Sequence, residues 1–425
     1  MKLQAPRGTF DVMPGDARRR LRLQRDADDV LGRAGYEPFE TPIFEDTELF
    51  ARGVGEATDI VQKEMFTFED KAGRSLTLRP EATAAMCRAY VERGMHKLAQ
   101  PVKLWTWGPF FRHEAPQAGR FRQFTQLDVE ALGSDDPGLD AELILLLAEC
   151  IERAGAGPAR LRVSSLGTPE TRAEYLEELR LFLRAREGEL SEEVRERLDQ
   201  NPLRAFDADH PGTRAVMEEA PRLLDRLEPE DAEHFADVRA LLDAAGMEYE
   251  VDSTLVRGLD YYTRTVFEFE SERLGAQAAL GGGGRYDRLI EELGGPATPG
   301  VGWAAGIERI LLASDVEVEA EPRVYVALAK PGLVRTAFEI ARRLRDGGIR
   351  VEIEQAGRSL KGQLKQADRI GARTTVILGD SMDVKDMDSG EQREAAGPDE
   401  VVGLVREAFA KDAPAEGGPA VSGPE

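Results

Sequence analysis

Apolar positions recur at helical spacing through Asp16–Ala34, where Leu21, Leu23, Ala27, Val30 and Leu31 mark one face and Gly35 supplies the stop. Beyond it the chain becomes extended. Tyr36–Phe44 is interrupted by Pro38 and Pro42, which suits an edge strand or a strand end. Met65–Phe68 and Ser75–Leu78 alternate around a turn at Lys71-Ala72-Gly73, predicting a hairpin. Val102–Trp107 and Phe121–Leu132 read as further strands, and Leu139–Ala154 as a helix. The first third therefore mixes antiparallel strands with helices, an α+β signature.

From Thr168 to about Glu248 charged residues are dense and the period is helical, as at Tyr175, Leu179, Phe182 and Leu183. Thr168-Pro169 supplies an N-cap and a first-turn proline, so this block reads as an inserted helical module. Strand texture returns at Tyr249–Glu270 and Gln277–Gly284, followed by a helix near Ala304–Ala313. The acidic stretch Ser314–Pro322 reads as a linker. After it the order is strand (Val324–Ala329), helix (Leu333–Asp346), strand (Ile349–Glu354), helix (Ser359–Ile370) and strand (Thr374–Leu378). That alternation predicts a small α/β domain with parallel strand pairs. Lys411–Glu425 has the composition of a disordered tail.

The length of 425 residues fits two or three domains, and 41% hydrophobic with 32% charged residues fits a globular protein with a sizeable core. A net charge of -23 argues against non-specific coating of nucleic acid. The charge is uneven, however. Pro322–Thr375 holds 12 Lys/Arg against 5 Asp/Glu, whereas Val376–Glu425 holds 4 against 12. The basic segment suits a phosphate-facing surface, or simply a solvated helix face. Cys87 and Cys150 form neither a disulfide framework nor a metal pair and read as buried thiols. The first residues carry no apolar signal segment and no run suits a membrane span, so the expected location is the cytoplasm.

Three segments could carry chemistry. Phe110–Gly133 holds Arg112, Arg120 and Arg122, whose rigid forks suit phosphate, and Gln126 with Glu130, which share one side of a strand. Leu255–Glu268 (LVRGLDYYTRTVFE) places Arg257, Asp260, Tyr261, Tyr262 and Arg264 between apolar flanks, a polar set costly to bury without partners. It reads equally as a ligand site or a structural ion-pair cluster. The third, ALGGGGRYD followed by VGWAAGIERIL, allows close backbone approach but matches no phosphate loop, and its fit to the dinucleotide fingerprint is loose. There is no HExxH, no GxSxG and no metal-spaced Cys/His set, and His96, His113, His210 and His234 are scattered.

Together these segments resemble class II aminoacyl-tRNA synthetases, and specifically the histidyl-tRNA synthetase family. ETPIFED with Pro42, FRHE and GIERIL resemble the three class motifs; LVRGLDYYTRTVFE and GGGGRYD resemble the two histidine-specific signatures. PRGTFDVMPGD, TLRPEAT and NPLRAFD are similar to further family segments, so the resemblance spans about Pro6 to Ala410. It implies an α+β fold: an antiparallel sheet flanked by helices, an inserted helical domain and a C-terminal α/β anticodon-binding domain. Residues 1–167 and 249–313 would form the catalytic core, 168–248 the insertion, 314–322 the linker, 323–410 the anticodon-binding domain and 411–425 the tail.

The resemblance also implies substrates and roles: L-histidine, ATP with Mg²⁺ and histidine tRNA, acted on by a homodimer with Pro42 at its interface. Arg112 and Arg257 would contact the α-phosphate as the catalytic cations, with Arg257 standing where other class II enzymes use a metal. Glu114 also falls on the ATP side, and Arg120 and Arg309 would hold the distal phosphates. Glu81, Thr83 and Gln126 would bind the amino and carboxylate end of histidine. Glu130 and Tyr262 would bracket the imidazole, with Tyr261 beside them. The chain departs from the family at Ala115 and Thr125, near the tRNA acceptor end, and is shortened around Gly379–Lys385. A non-catalytic paralogue, the synthetase-like regulatory subunit of ATP phosphoribosyltransferase, typically lacks the C-terminal domain and the arginine of the first signature. This chain keeps both.

Overall fold

The computed structural model describes residues 3–55, 58–115, 119–199, 202–255, 258–318 and 322–410. Pro116, Asn201, Arg257, residues 319–321 and the expected tail 411–425 lie outside the described residues. The chain divides into two compact units, Met1–Val318 and Glu319–Glu425.

In the first unit the elements run α1 (Pro14–Arg33), β1 (Glu37–Pro38), β2 (Phe44–Asp46), α2 (Thr47–Val54), β3 (Phe66–Glu69), β4 (Ser75–Leu78), α3 (Thr83–Glu92), β5 (Val102–Phe111) and β6 (Gln123–Leu132). Then follow α4 (Pro137–Arg153), β7 (Arg160–Ser165), α5 (Pro169–Arg184), α6 (Glu192–Arg197), α7 (Pro211–Glu218), α8 (Pro229–Ala244) and β8 (Glu250–Val251). The unit closes with β9 (Thr263–Glu270), β10 (Ala279–Arg285), α9 (Leu289–Glu292), β11 (Gly300–Gly306) and α10 (Ile307–Ala313). The main sheet has the order β1-β5-β6-β11-β10-β9-β7-β8, antiparallel except for the two-residue strands that pair in parallel at its edges. The hairpin β3–β4 forms as expected and is joined by β2 in a separate three-stranded sheet.

Alternation along the strands decides which face holds the core. Leu127, Val129 and Ala131 of β6, and Val301, Trp303 and Ala305 of β11, point into a core closed by α1, α4 and α10. The even-numbered residues of both strands therefore point to the opposite face. On α1, Leu23, Ala27, Val30 and Leu31 are buried, but Leu21 is exposed. The helix expected near Ala304–Ala313 begins only at Ile307, because Ala304–Gly306 complete β11 between β6 and β10. On α5, Tyr175, Leu179 and Leu183 join a buried cluster that also holds Met86 of α3, Leu104 of β5 and Tyr286, and Thr168 caps the helix by accepting from Thr171 N. Cys87 and Cys150 are both free and buried.

Residues 314–318, expected to open a linker, are anchored within the first unit. Arg19 donates to Ser314 O (3.2 Å) and Val316 O (3.2 Å), and Arg273 pairs with Asp315 at 3.3 Å.

The second unit contains β12 (Arg323–Leu328), α11 (Val334–Asp346), β13 (Arg350–Ile353), α12 (Leu360–Arg369), β14 (Ala372–Leu378), β15 (Met382–Asp386), β16 (Gln392–Ala395) and α13 (Pro398–Ala410). Its sheet order is β13-β12-β14-β15-β16; β12 pairs in parallel with β13 and β14, while β14–β15–β16 are antiparallel. The antiparallel hairpin and α13 went unrecognised in the sequence. The shortened connection is a tight turn in which Gly379 N donates to Ser381 O at 2.9 Å.

Candidate functional site

A cavity of about 320 Å³ opens on the non-core face of the main sheet. Gln126, Asp128 and Glu130 lie on this face of β6, paired across to Gly306, Ala304 and Gly302 of β11. The next strand continues the clearing, with Gly282 opposite Ala304 and Gly284 opposite Gly302. β6 thus carries polar side chains while the next two strands on one side, β11 and β10, carry almost none on this face, and that difference is what makes room for a ligand. A Cβ built on Gly302 would overlap the Glu130 carboxylate, so only glycine fits there.

At one end of the cavity the groups are chiefly acceptors. Glu81 precedes α3 and uses Oε1 to accept from Ala84 N at 3.0 Å, while its buried Oε2 has no partner. Gln126 Oε1 and Asp128 Oδ2 are likewise buried and unpartnered. Glu130 is fully enclosed and does not itself line the cavity: Thr83 Oγ1 donates to its Oε1 at 2.6 Å and the Tyr286 hydroxyl to its Oε2. Burial raises its carboxyl to about 8, against the lowering effect of those two hydroxyls and with Glu81 adding to the rise.

Tyr261 and Tyr262 close this end, with ring centroids 4.8 Å apart, and Tyr261 meets Tyr286 edge-on at 5.6 Å. Their backbone is held from helices α5 and α8. Arg172 on α5 donates to Asp260 O (2.9 Å) and Tyr262 O (3.2 Å). Arg264, in left-handed backbone at φ 45°, pairs with Asp231 (2.8 Å) and Glu230 (2.7 Å) of α8.

The other end is cationic. Arg112 donates to Pro80 O at 2.9 Å and stands over the Phe124 ring at 5.5 Å. Arg120 pairs with Glu114 at 3.2 Å, and Arg309 is braced by Gly119 O (3.1 Å) and Ala279 O (3.0 Å). Burial first, then Arg120 and Arg112, lowers the proton affinity of Arg309, opposed by Glu114 and Glu268. Guanidiniums that repel one another in a partly desolvated cavity form a site that an anion would relieve.

Of the residues singled out in sequence, Glu81, Thr83, Arg112, Glu114, Arg120, Gln126, Tyr261, Tyr262 and Arg309 line this one cavity. Arg257 lies outside the described residues, and the arginines at 112, 120 and 122 sit just beyond the strand ends rather than on them. Arg122 instead donates to Glu114 O at 3.3 Å.

Sequence reasoning overlooked Asp128 and Tyr286. The first is signalled by its place midway between Gln126 and Glu130, the second by its place in GGGGRYD. Arg285 of that signature is a structural brace, forming a fully buried ion pair with Asp140 and donating to Ser134 O at 2.9 Å. Thr125 is tied to the frame, since Glu308 accepts from its backbone N at 3.0 Å and Arg20 donates to its hydroxyl at 2.9 Å. Among the described residues no cluster of three His, Cys, Asp or Glu could hold a metal, and no helix is long and apolar enough to cross a membrane.

Comparison with known proteins places this geometry. A family model described as histidyl-tRNA synthetase matches residues 8–310, and one described as an anticodon binding domain matches residues 323–408. The chain is 48% identical over 413 residues to the histidine--tRNA ligase of Rubrobacter xylanophilus, covering 93% of this chain and 97% of that protein. It is 47% identical over 405 residues to that of Halothermothrix orenii, with 93% and 97% covered. The crystal structure of apo histidyl-tRNA synthetase from S. aureus superposes with a TM-score of 0.79 at 35% identity, covering 95% of this chain and 99% of that one.

Proposed function

This chain belongs to the histidyl-tRNA synthetase family, and from that premise we propose how its cavity carries out the family's reaction. The enzyme attaches histidine to histidine tRNA at the expense of ATP: histidine and ATP give histidyl-adenylate and pyrophosphate, and the histidyl group then passes to the tRNA 3′ end. The single observation that carries our assignment of residues is the polarity of the cavity, acceptors at one end and guanidiniums at the other.

Histidine lies with its amino and carboxylate groups among Glu81, Thr83 and Gln126, and with its imidazole toward Tyr262 and Glu130. Glu130 acts on the ring in concert with the Thr83 and Tyr286 hydroxyls it already holds. A carboxylate oxygen of histidine then attacks the α-phosphorus in line, and the bond to the pyrophosphate oxygen breaks. Negative charge builds on the α-phosphate, where Arg112 and Arg257 stabilise it, while Glu114, Arg120 and Arg309 position the rest of ATP. ATP enters as its Mg²⁺ complex, the ion held largely by phosphate oxygens and water.

The second unit supplies the tRNA contact through its basic α12 segment. The full chain should exchange pyrophosphate into ATP only when histidine is present. A chain ending at Val318, which keeps the anchored residues 314–318, should retain that exchange but bind histidine tRNA more weakly by at least about 10-fold. Undiminished tRNA affinity in the truncated chain would remove this role.

We also propose a homodimer. Beside Pro42, Ile43, Phe44 and Phe68 are exposed, the two rings 6.2 Å apart, forming an apolar patch suited to a second copy. Light scattering should give twice the chain mass of 46.8 kDa; a monomeric mass at micromolar concentration contradicts it. The cytoplasm, where tRNA and ATP meet, is the proposed location, open to cell fractionation.

A further inference from the structure

We propose that Asp128 is a direct ligand of the substrate's α-ammonium group, completing a three-acceptor cradle with Glu81 and Gln126. The inference rests on reading this cavity as the histidine site. Three oxygens facing it have no partner: Glu81 Oε2, Gln126 Oε1 and Asp128 Oδ2. Glu81 and Asp128 are 4% and 1% exposed, so solvent does little to satisfy them. A buried acceptor left unmade is costly, and three of them call for a group that only donates. Imidazole has at most two N–H groups, and neutral imidazole has one donor and one acceptor. An ammonium has three donors and no acceptor.

The strand supplies the geometry. Gln126 and Asp128 are successive same-face residues of β6, and Ala304 and Gly306 opposite them leave the space above open. Charge agrees as well. Burial pushes the Asp128 carboxyl well above the usual carboxylate range, Glu130 and Glu81 push it further, and Arg79 and Arg112 oppose them. Glu81 is raised too, by burial first. Carboxyls so placed take up a proton more readily than free ones, and an arriving ammonium favours their ionised form, so amine-bearing ligands should bind with proton release.

The test compares three ligands by calorimetry: histidine, histidinol (amine kept, carboxylate lost) and 3-(imidazol-4-yl)propionate (amine lost, carboxylate kept). Asp128→Asn should weaken histidine and histidinol by on the order of 10- to 100-fold and leave the propionate unchanged. Equal weakening of all three, or no weakening of histidinol, overturns the assignment. Should Asp128→Asn fail to fold, the wild-type enzyme still decides, through titrations in buffers of different ionisation enthalpy. Histidinol must release more protons than the propionate, and equal release overturns the proposal. The cavity itself is checked separately by Glu130→Gln: if that variant and Asp128→Asn both bind histidine like wild type, the histidine site lies elsewhere.

Discussion

Replacing Arg257 with Ala should slow histidyl-adenylate formation by about three powers of ten or more while leaving histidine affinity nearly intact. The stretch that carries Arg257 leads directly into the cavity, since Gly258, Leu259, Tyr261 and Tyr262 all line it. Arg172 holds the carbonyls of Asp260 and Tyr262, and the Arg264 ion pairs fix the far side of the segment. A cation stabilises a developing charge best when it need not reorganise as that charge appears. Histidine itself meets other groups, so its equilibrium binding should survive. Single-turnover adenylate formation beside equilibrium histidine binding separates the two effects. An unchanged rate would mean that Arg257 does not serve the α-phosphate, and a parallel loss of histidine affinity would mean that it mainly holds the pocket together.

The second large effect is expected at Glu130. Glu130→Gln should lower kcat/KM for histidine by on the order of 100-fold, because the buried group loses its charge and one of the two acceptor oxygens that hold the Thr83 and Tyr286 hydroxyls. Its pH dependence follows from the carboxyl sitting near 8 rather than 4.5. The folded enzyme holds this proton more tightly than the unfolded chain. The group's contribution to stability is therefore full below about 4.5 and lost as pH rises through about 8. Histidine, whose imidazole N–H should reach this carboxyl through the Thr83 and Tyr286 hydroxyls that donate to it, favours the ionised form and draws the equilibrium the other way. Affinity for histidine should thus rise between about pH 6.5 and 8.5, above the imidazole's own titration. The gain in melting temperature on adding histidine should rise with it. A wild-type profile no steeper than that of Glu130→Gln would show that this carboxyl does not titrate in the site.

Much of this was legible in the sequence because it is local. The N-cap at Thr168, the turn at Lys71-Ala72-Gly73, the α1 stripe and the alternation of the C-terminal strands and helices depend on neighbours a few residues away. The misses share a cause. β11 is mostly Gly, Ala and Trp and has little intrinsic preference for a strand; it becomes one because β6 and β10 flank it on both sides. β15 and β16 likewise depend on β14 and on each other. Leu21 matches its helix's apolar spacing yet faces solvent, because only the fold decides how wide the buried stripe is.

The site divides in the same way. The sequence alone determined the inventory of chemistry: which arginines, carboxylates and tyrosines were available, and a pattern of segments similar to a histidine-activating synthetase. Tertiary structure decided their relations, because those depend on strands distant along the chain. It set Glu130 behind Thr83 and Tyr286 instead of directly on the cavity wall, and assigned Arg285 to a buried brace with Asp140. It also cleared the floor above Gln126 and Asp128 by pairing them with Gly306 and Ala304. Residue type fixes what a side chain can donate, accept or charge. Which partner it meets, and how dry the meeting place is, depends on strand register and packing.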